Sequence, residues 1–412
     1  MTTPTTGSNR VVTAPSKQRR IGDSLRAFKQ RLSDGDLGST PVVIGLIIIW
    51  VVFQILNPTF LTAPNLVNLA LQCAAVGTIS IGVVLVLLLG QIDLSVGSIS
   101  GLAAAILGVT FVQWDWPVVA SILLALTAGA AIGAVYGFLY TRFGVPTFII
   151  TLAGLLGVLG LQLWVLGDDG SINLPFDSWI VRFAQQMFLP DVVSYIAAVA
   201  AAGLYFWVTF RAQRRRAAAG LGSMHITETA IRALSLLALL GFGSWYLNKD
   251  RGIGLMFVLF VMLVVCANYM LTRTKWGRSV YAVGGNVEAA RRAGIRVNRV
   301  YISVFMAATT FAALGGILAA ARLAAANQSS GGSDVNLTAI AAAVIGGTSL
   351  FGGRGSAWSA LLGIVVIMSI SSGLTLLSLD SSVRYMVTGA VLLLAVIVDA
   401  ISRRSRAVHG IA

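Results

Sequence analysis

Three stretches of this chain place polar residues and glycines where chemistry or motion could use them. Residues Gly90-Gln91-Ile92-Asp93-Leu94-Ser95-Val96-Gly97-Ser98 join two strongly apolar blocks and hold the only carboxylate between Asp36 and Asp115. Gly90 and Gly97 bracket a break, and Asp93 and Ser95 can each cap a helix that starts near Val96. Three readings of Asp93 stand: a buried cap that holds the break, a carboxylate that touches substrate or a coupling ion, or a plain cytoplasmic turn. The second stretch runs from Gly346 to Ser356 and carries five glycines in eleven residues: Gly346, Gly347, Gly352, Gly353 and Gly355. A phosphate-cradling loop would end in Lys-Ser/Thr and follow a strand; both are missing, so the run reads as a flexible joint between membrane segments.

The third stretch, 273–299, predicts a short helix over Val287–Ala293. Asn286 is a good N-cap, Glu288 suits the first turn, Arg291 and Arg292 suit the last, and Gly294 suits a left-handed residue just past the end. Two turns cannot persist alone. The helix therefore packs on its own protein, and its polar flanks suit docking to a soluble partner.

The elements that must position these stretches are membrane helices. The 412 residues are 57% hydrophobic and only 11% charged, with a mean hydropathy of +0.86. Ordinary soluble domains carry about 25% charged residues, and a span needs roughly 20 apolar ones. Twelve crossings are expected: 41–57, 65–89, 94–113, 117–140, 146–166, 191–210, 231–247, 252–271, 300–321, 337–350, 357–377 and 384–401. The block 337–350 is too short for a straight span and reads as a half-helix, with Ile345, Gly346 and Gly347 leading into a broken segment. The fold expected is an all-α polytopic membrane protein. Gly129 and Gly133 form a small-xxx-small pair for close helix packing.

The net charge of +14 would suit nucleic acid, but the basic residues sit beside apolar blocks, so no nucleic-acid partner is expected. With both termini cytoplasmic, 24 of the 29 Lys and Arg fall inside: seven in the tail, Arg142, four in 211–216, Arg232, seven in 273–299, Arg354 and three at the C-terminus. Five fall outside: Arg182, Lys249, Arg251, Arg322 and Arg384. That asymmetry orients the chain. The domain plan is a cytoplasmic tail over 1–40, a transmembrane domain over 41–401 and a cytoplasmic tail over 402–412. The first apolar run ends at Asn57-Pro58 without an Ala-x-Ala site and reads as a retained span rather than a cleaved leader. Cys73 and Cys266 lie in apolar stretches and read as small core residues, while His225 and His409 are too few for a histidine metal site. No metal, cofactor or catalytic residue is expected.

The blocks Gln91–Ser98, Gly144-Val145-Pro146-Thr147-Phe148-Ile149-Ile150-Thr151-Leu152, Gly277-Arg278 through Gly294-Ile295, and Ile340 through Gly355 resemble the permease family of bacterial ABC importers for monosaccharides. This group contains the ribose and xylose permeases. The resemblance runs from about residue 42 to 401, and the position of Gln91 is more often glycine in the family. It implies that Asn286–Gly294 is a coupling helix for an ATPase subunit, with Glu288, Ala289 and Ala290 as its Glu-Ala-Ala core. The chain is longer than ribose-type members, in its N-terminal tail and in the region 211–250, which reads as an insertion, and this form resembles the xylose-type permeases. The implied function is an alternating-access pathway in a bacterial inner membrane. Its implied partners are a cytoplasmic ABC ATPase, a periplasmic or lipid-anchored sugar-binding protein and a second permease subunit, as a homodimer; hydrolysis belongs to the partner, so the chain is not itself an enzyme. The alternative is an ion- or proton-coupled secondary sugar transporter, for which Asp93 is the sole convincing intramembrane group. A membrane enzyme lacks its polar cluster, and a non-transporting scaffold is the remaining class.

Overall fold

The computed structural model describes residues 40–219, 226–383, 385–391, 393, 394 and 397. Expectations for the tails 1–39 and 402–412, for His225 and His409, and for most of the block 384–401 lie outside these residues. The helices are α1 (Thr40–Leu56), α2 (Ala63–Leu88), α3 (Val96–Gly108), α4 (Val118–Phe143), α5 (Thr147–Leu166), α6 (Trp179–Gln185), α7 (Asp191–Ala218) and α8 (Ile226–Leu247). They continue as α9 (Leu255–Arg273), α10 (Lys275–Gly285), α11 (Val287–Arg292), α12 (Val297–Leu323), α13 (Ser333–Ile345) and α14 (Trp358–Leu376). A π-helical turn, Val109–Gln113, extends α3. Two short strands, β1 (Ser171–Asn173) and β2 (Ala325–Asn327), pair antiparallel with Ile172 opposite Ala326.

Among the described residues nine helices are long and apolar enough to cross a membrane: α2, α3 with its π turn, α4, α5 with the short turn after it, α7, α8, α9, α12 and α14. The apolar helices α1 and α13 are shorter. The half-length α13 stops at Gly346, where the sequence places a break.

Burial sorts these helices into a centre and a rim. The most apolar stretch of α2 is 89% enclosed, whereas those of α7 and α8 are 17% and 11% enclosed. The rim helices carry large exposed apolar side chains such as Ile196, Leu204, Leu234 and Leu239, which suits contact with lipid. Cys73 is buried in α2, but Cys266 is exposed on α9, contrary to the expectation of two core cysteines. In a membrane, apolarity does not distinguish the inward from the lipid face, so its sequence context could not separate the two.

Close approach of α4 and α12 rests on a glycine stripe. A Cβ at Gly137 would lie 2.6 Å from the Ile302 Cα, one at Gly129 would lie 2.8 Å from the Ala313 Cβ, and one at Gly133 would collide with the Phe305 carbonyl. Gly157 on α5 has nothing within 4 Å of that position. Gly133→Ala is expected to lower the stability of the detergent-solubilised protein by about 1–3 kcal/mol through overpacking. Gly157→Ala should leave it unchanged or raise it by up to about 1 kcal/mol through helix propensity. Thermal unfolding of the purified variants reads both, and equal behaviour would contradict this packing.

Candidate functional site

The break between α2 and α3 is a partly enclosed loop in which Asp93 and Ser95 are buried while Ile92 is exposed. Asp93 is 2% exposed, which excludes the reading of a plain solvated turn. Its Oδ1 accepts hydrogen bonds from the Ser95 amide at 2.8 Å and the Ser95 hydroxyl at 2.7 Å. Helix α3 does begin at Val96, yet neither side chain caps its first turn. Asp93 instead closes a local turn around Ser95, a competing use of a short carboxylate against nearby backbone. Gly90 has φ +71°, so the chain reverses there in a conformation that side chains resist.

Neighbouring helices clamp the rest of the loop. The Thr147 hydroxyl donates to Gln91 Oε1 at 2.6 Å, so the glutamine at this position ties the break to the start of α5. Asn336 of α13 donates its amide to the Leu94 carbonyl. The Tyr136 hydroxyl lies beside Ser95 and Asp93. Asp93 Oδ2, Asn336 Oδ1 and the Tyr136 hydroxyl are all enclosed without a hydrogen-bond partner among the described residues. Such atoms are uncommon in a well-packed interior, and they leave capacity for a water or a substrate hydroxyl.

Gly97 belongs to the wall between α3 and the loop before α13. A Cβ there would lie 2.8 Å from the Gly331 carbonyl oxygen. The Gln162 amide of α5 donates to the carbonyls of Asn327 at 3.2 Å and Ser330 at 3.0 Å, hooking the same loop. Sequence reasoning passed over Gln162, Asn336 and Tyr136. Gln162 carried a usable signal, as a buried amide within the uncharged block 143–167, whereas the roles of the other two come from tertiary placement.

The glycine-rich run meets the break directly. The Gly353 amide donates to the Leu88 carbonyl at 2.8 Å, and a Cβ at Gly352 would lie 2.8 Å from the Gly90 amide nitrogen and 2.7 Å from the Gly284 carbonyl oxygen. Gly353 presses on Gly285 in the same way, at 3.0 Å from its Cα. The end of α2, the end of α10 and the 352–353 loop therefore touch backbone to backbone. Gly346 and Gly347 lie apart from this joint, at the end of α13, where Gly346 abuts the Ser359 backbone and Gly347 has φ +100°.

Helix α11 leaves from that joint. Thr274 starts α10 by accepting from the Gly277 amide at 3.1 Å, the Tyr281 hydroxyl donates to the Gly355 carbonyl at 2.9 Å, and the Trp276 indole donates to the Ser303 hydroxyl at 2.8 Å. Burial within α10 pushes the Tyr281 phenol above its usual pKa. Asn286 then caps α11 by accepting from the Ala289 amide at 2.9 Å. Glu288 and Arg291 pair at 2.9 Å on the exposed side, Arg292 and Ala289 are also exposed, and Gly294 ends the helix with φ +81°. Of the Glu-Ala-Ala core, Ala290 is buried against the protein and gives this short helix an inward anchor.

The local turn generates a prediction. Asp93→Asn keeps the accepting Oδ1 and is expected to hold stability within about 1 kcal/mol, whereas Asp93→Leu leaves the Ser95 donors unpaired and should cost about 1–3 kcal/mol. Thermal unfolding in detergent separates them; a D93N protein as unstable as D93L would place the weight on charge instead.

The family described as branched-chain amino acid transport system / permease component matches residues 65–396. The xylose transport system permease protein XylH of Escherichia coli is 37% identical over 348 residues, 84% of this chain and 87% of that protein. Its counterpart in Haemophilus influenzae is 32% identical over 88% of this chain and 96% of that protein. The ribose import permease protein RbsC of Bacillus subtilis is 32% identical over 92% of this chain and 98% of that protein. No solved structure matches the chain. A family match across most of the sequence, joined by relatives above 30% identity at nearly full length, means that this protein belongs to the transport-system permease family that includes the xylose and ribose permeases.

Proposed function

We propose that this protein is the membrane subunit of an ATP-driven importer for a monosaccharide, xylose or a closely related sugar, in a bacterial inner membrane. The observation that carries the reading is the backbone joint at Gly90, Gly284 and Gly352, which links the capped, exposed α11 to the break beside α3. A push on α11 is transmitted through α10 to the end of α2 without flexible side chains between them. Sugar rather than a branched-chain amino acid is favoured by the names of the xylose and ribose relatives.

In this reading two copies of the chain surround one pathway, a periplasmic or lipid-anchored binding protein delivers sugar, and separate cytoplasmic ATPase subunits supply hydrolysis. Asn286, Glu288, Ala289, Arg291 and Arg292 form the face toward the ATPase, while Ala290 anchors the helix. Gly294 releases the chain toward α12. Asp93, held by Ser95, maintains the break rather than carrying an ion. The chain crosses the membrane twelve times with both termini cytoplasmic, and α8, within the 211–250 insertion, packs with α7 at the rim.

Orientation is tested with single cysteines in a background lacking Cys73 and Cys266. A cysteine at Ser171 is expected to react with an impermeant thiol reagent added to intact spheroplasts, and one at Glu288 only after lysis. The reverse pattern would invert the map. Coupling is tested with Ala289→Trp and Glu288→Arg. Each should leave the permease inserted but weaken ATPase pull-down about tenfold or more, since overpacking costs about 1–3 kcal/mol and 1.4 kcal/mol is tenfold. Sugar-stimulated hydrolysis in proteoliposomes should fall with it. Unchanged pull-down and hydrolysis in both variants would move the docking role to another segment.

A further inference from the structure

A cavity of about 310 Å³ lies among α2, α3, α12 and the loop leading into α13, with Gln72, Ser100, Arg322, Asn327, Asp334 and Met368 in its lining. That volume sits at the small end of the range for ligand pockets. Its position is not incidental to the break. Ser100 follows Gly97 by one helical turn on α3, and its hydroxyl donates to the Gly97 carbonyl. The loop side, Asn327 to Gly331, is the segment hooked by Gln162 and pressed against Gly97. Any movement of the break therefore reshapes the cavity wall.

The lining also has a definite chemistry. Gln72 can donate and accept, the Ser100 oxygen can accept while its proton goes to the Gly97 carbonyl, the Asn327 amide nitrogen can donate while its Oδ1 accepts from Ser329 and Ser330, Asp334 only accepts and Arg322 only donates. Neither Arg322 nor Asp334 makes an ion pair among the described residues, although Arg322 is half-buried at the end of α12. An unpaired cation at a membrane helix end facing a cavity is costly unless something polar meets it. Donors and acceptors beside apolar side chains such as Val76, Ile79 and Met368 suit the hydroxyls and C–H faces of a small polyol ring.

We propose that this cavity is a transit site for a neutral pentose, in which Gln72, Arg322 and Asp334 meet the sugar hydroxyls before the break opens. The inference rests on the sugar-importer reading and adds the place of contact. Met368 and the small side chains of α3 and α12 form the apolar surface against the ring. A branched-chain amino acid would use the two charges differently, its carboxylate on Arg322 and its ammonium on Asp334. The charge of Asp334 is then indispensable, whereas a sugar hydroxyl needs only an acceptor.

The test uses the full permease with its ATPase and binding protein in proteoliposomes. In a background lacking the native cysteines, Ala319→Cys places a thiol on the cavity wall. Its labelling is expected to slow severalfold in xylose and to be unaffected by leucine. Arg322→Met and Gln72→Leu should each lower xylose uptake about tenfold, the worth of a lost charge-assisted or buried hydrogen bond, while still co-purifying with the ATPase. Asp334→Asn should stay within about threefold. Protection by leucine instead of xylose, or no protection by either together with wild-type uptake in Arg322→Met and Gln72→Leu, would overturn the site. Absence of ATP-dependent xylose uptake by the unmodified assembly would instead remove the sugar-importer reading itself. Should the uptake variants fail to assemble, the cysteine protection result alone decides the site.

Discussion

Breaking a helix inside an apolar bundle strips backbone amides and carbonyls of their partners where no water is at hand to replace them, and each orphan costs free energy. This protein breaks the path between α2 and α3 at the end of its most enclosed long helix, and much of the surrounding structure answers that constraint. Asp93 holds the Ser95 amide, Asn336 takes the Leu94 carbonyl, and Gly353 takes the Leu88 carbonyl. The partners come from α13 and from the loop after it, so the half-length helix and the glycine run belong to the same solution. The bundle could not place a break here without bringing those distant segments onto it.

The use of glycine follows from the same geometry. At Gly90, Gly284 and Gly352 three chain segments meet with backbone atoms near contact distance, and a side chain on Gly352 or Gly284 would force them apart. Backbone contacts of this kind transmit displacement with less slack than contacts between long side chains, which can change rotamer. The α4–α12 stripe uses glycine for a different end: it draws two whole helices together and fixes the frame within which the joint works.

Much of this is legible in the sequence itself. Apolar block lengths mark the long helices, because a membrane span demands a minimum run of apolar residues. Asn286, Glu288 and Gly294 announce the ends of α11 because caps and left-handed residues are local chemistry. The inward turn of Ala290 was not legible, since a two-turn helix carries too little periodicity to show a face. Asp93 stands out as the lone carboxylate between Asp36 and Asp115, but its bond to Ser95 rather than to the next helical turn depends on the detailed path of the loop. The pairing of β1 with β2 escaped because three-residue strands have no pattern of their own. The meeting of Gly90 with Gly352 escaped for another reason: more than 250 residues separate them, and nothing local encodes their approach.

Helix α7 has 28 residues and so rises about 42 Å, against a hydrocarbon layer about 30 Å thick. Its final turns must leave the hydrocarbon or the helix must lean. Arg211 lies 4.1 Å from the Trp207 ring centroid and Arg214 lies 4.8 Å from that of Phe210, forming an aromatic and cationic collar suited to the headgroup layer. Hydrophobic mismatch is thus met at the periphery, where α7 and α8 can tilt as bilayer thickness changes. The enclosed α2 and α3 are shielded from that adjustment, so lipid composition acts on the outer hairpin before it reaches the break.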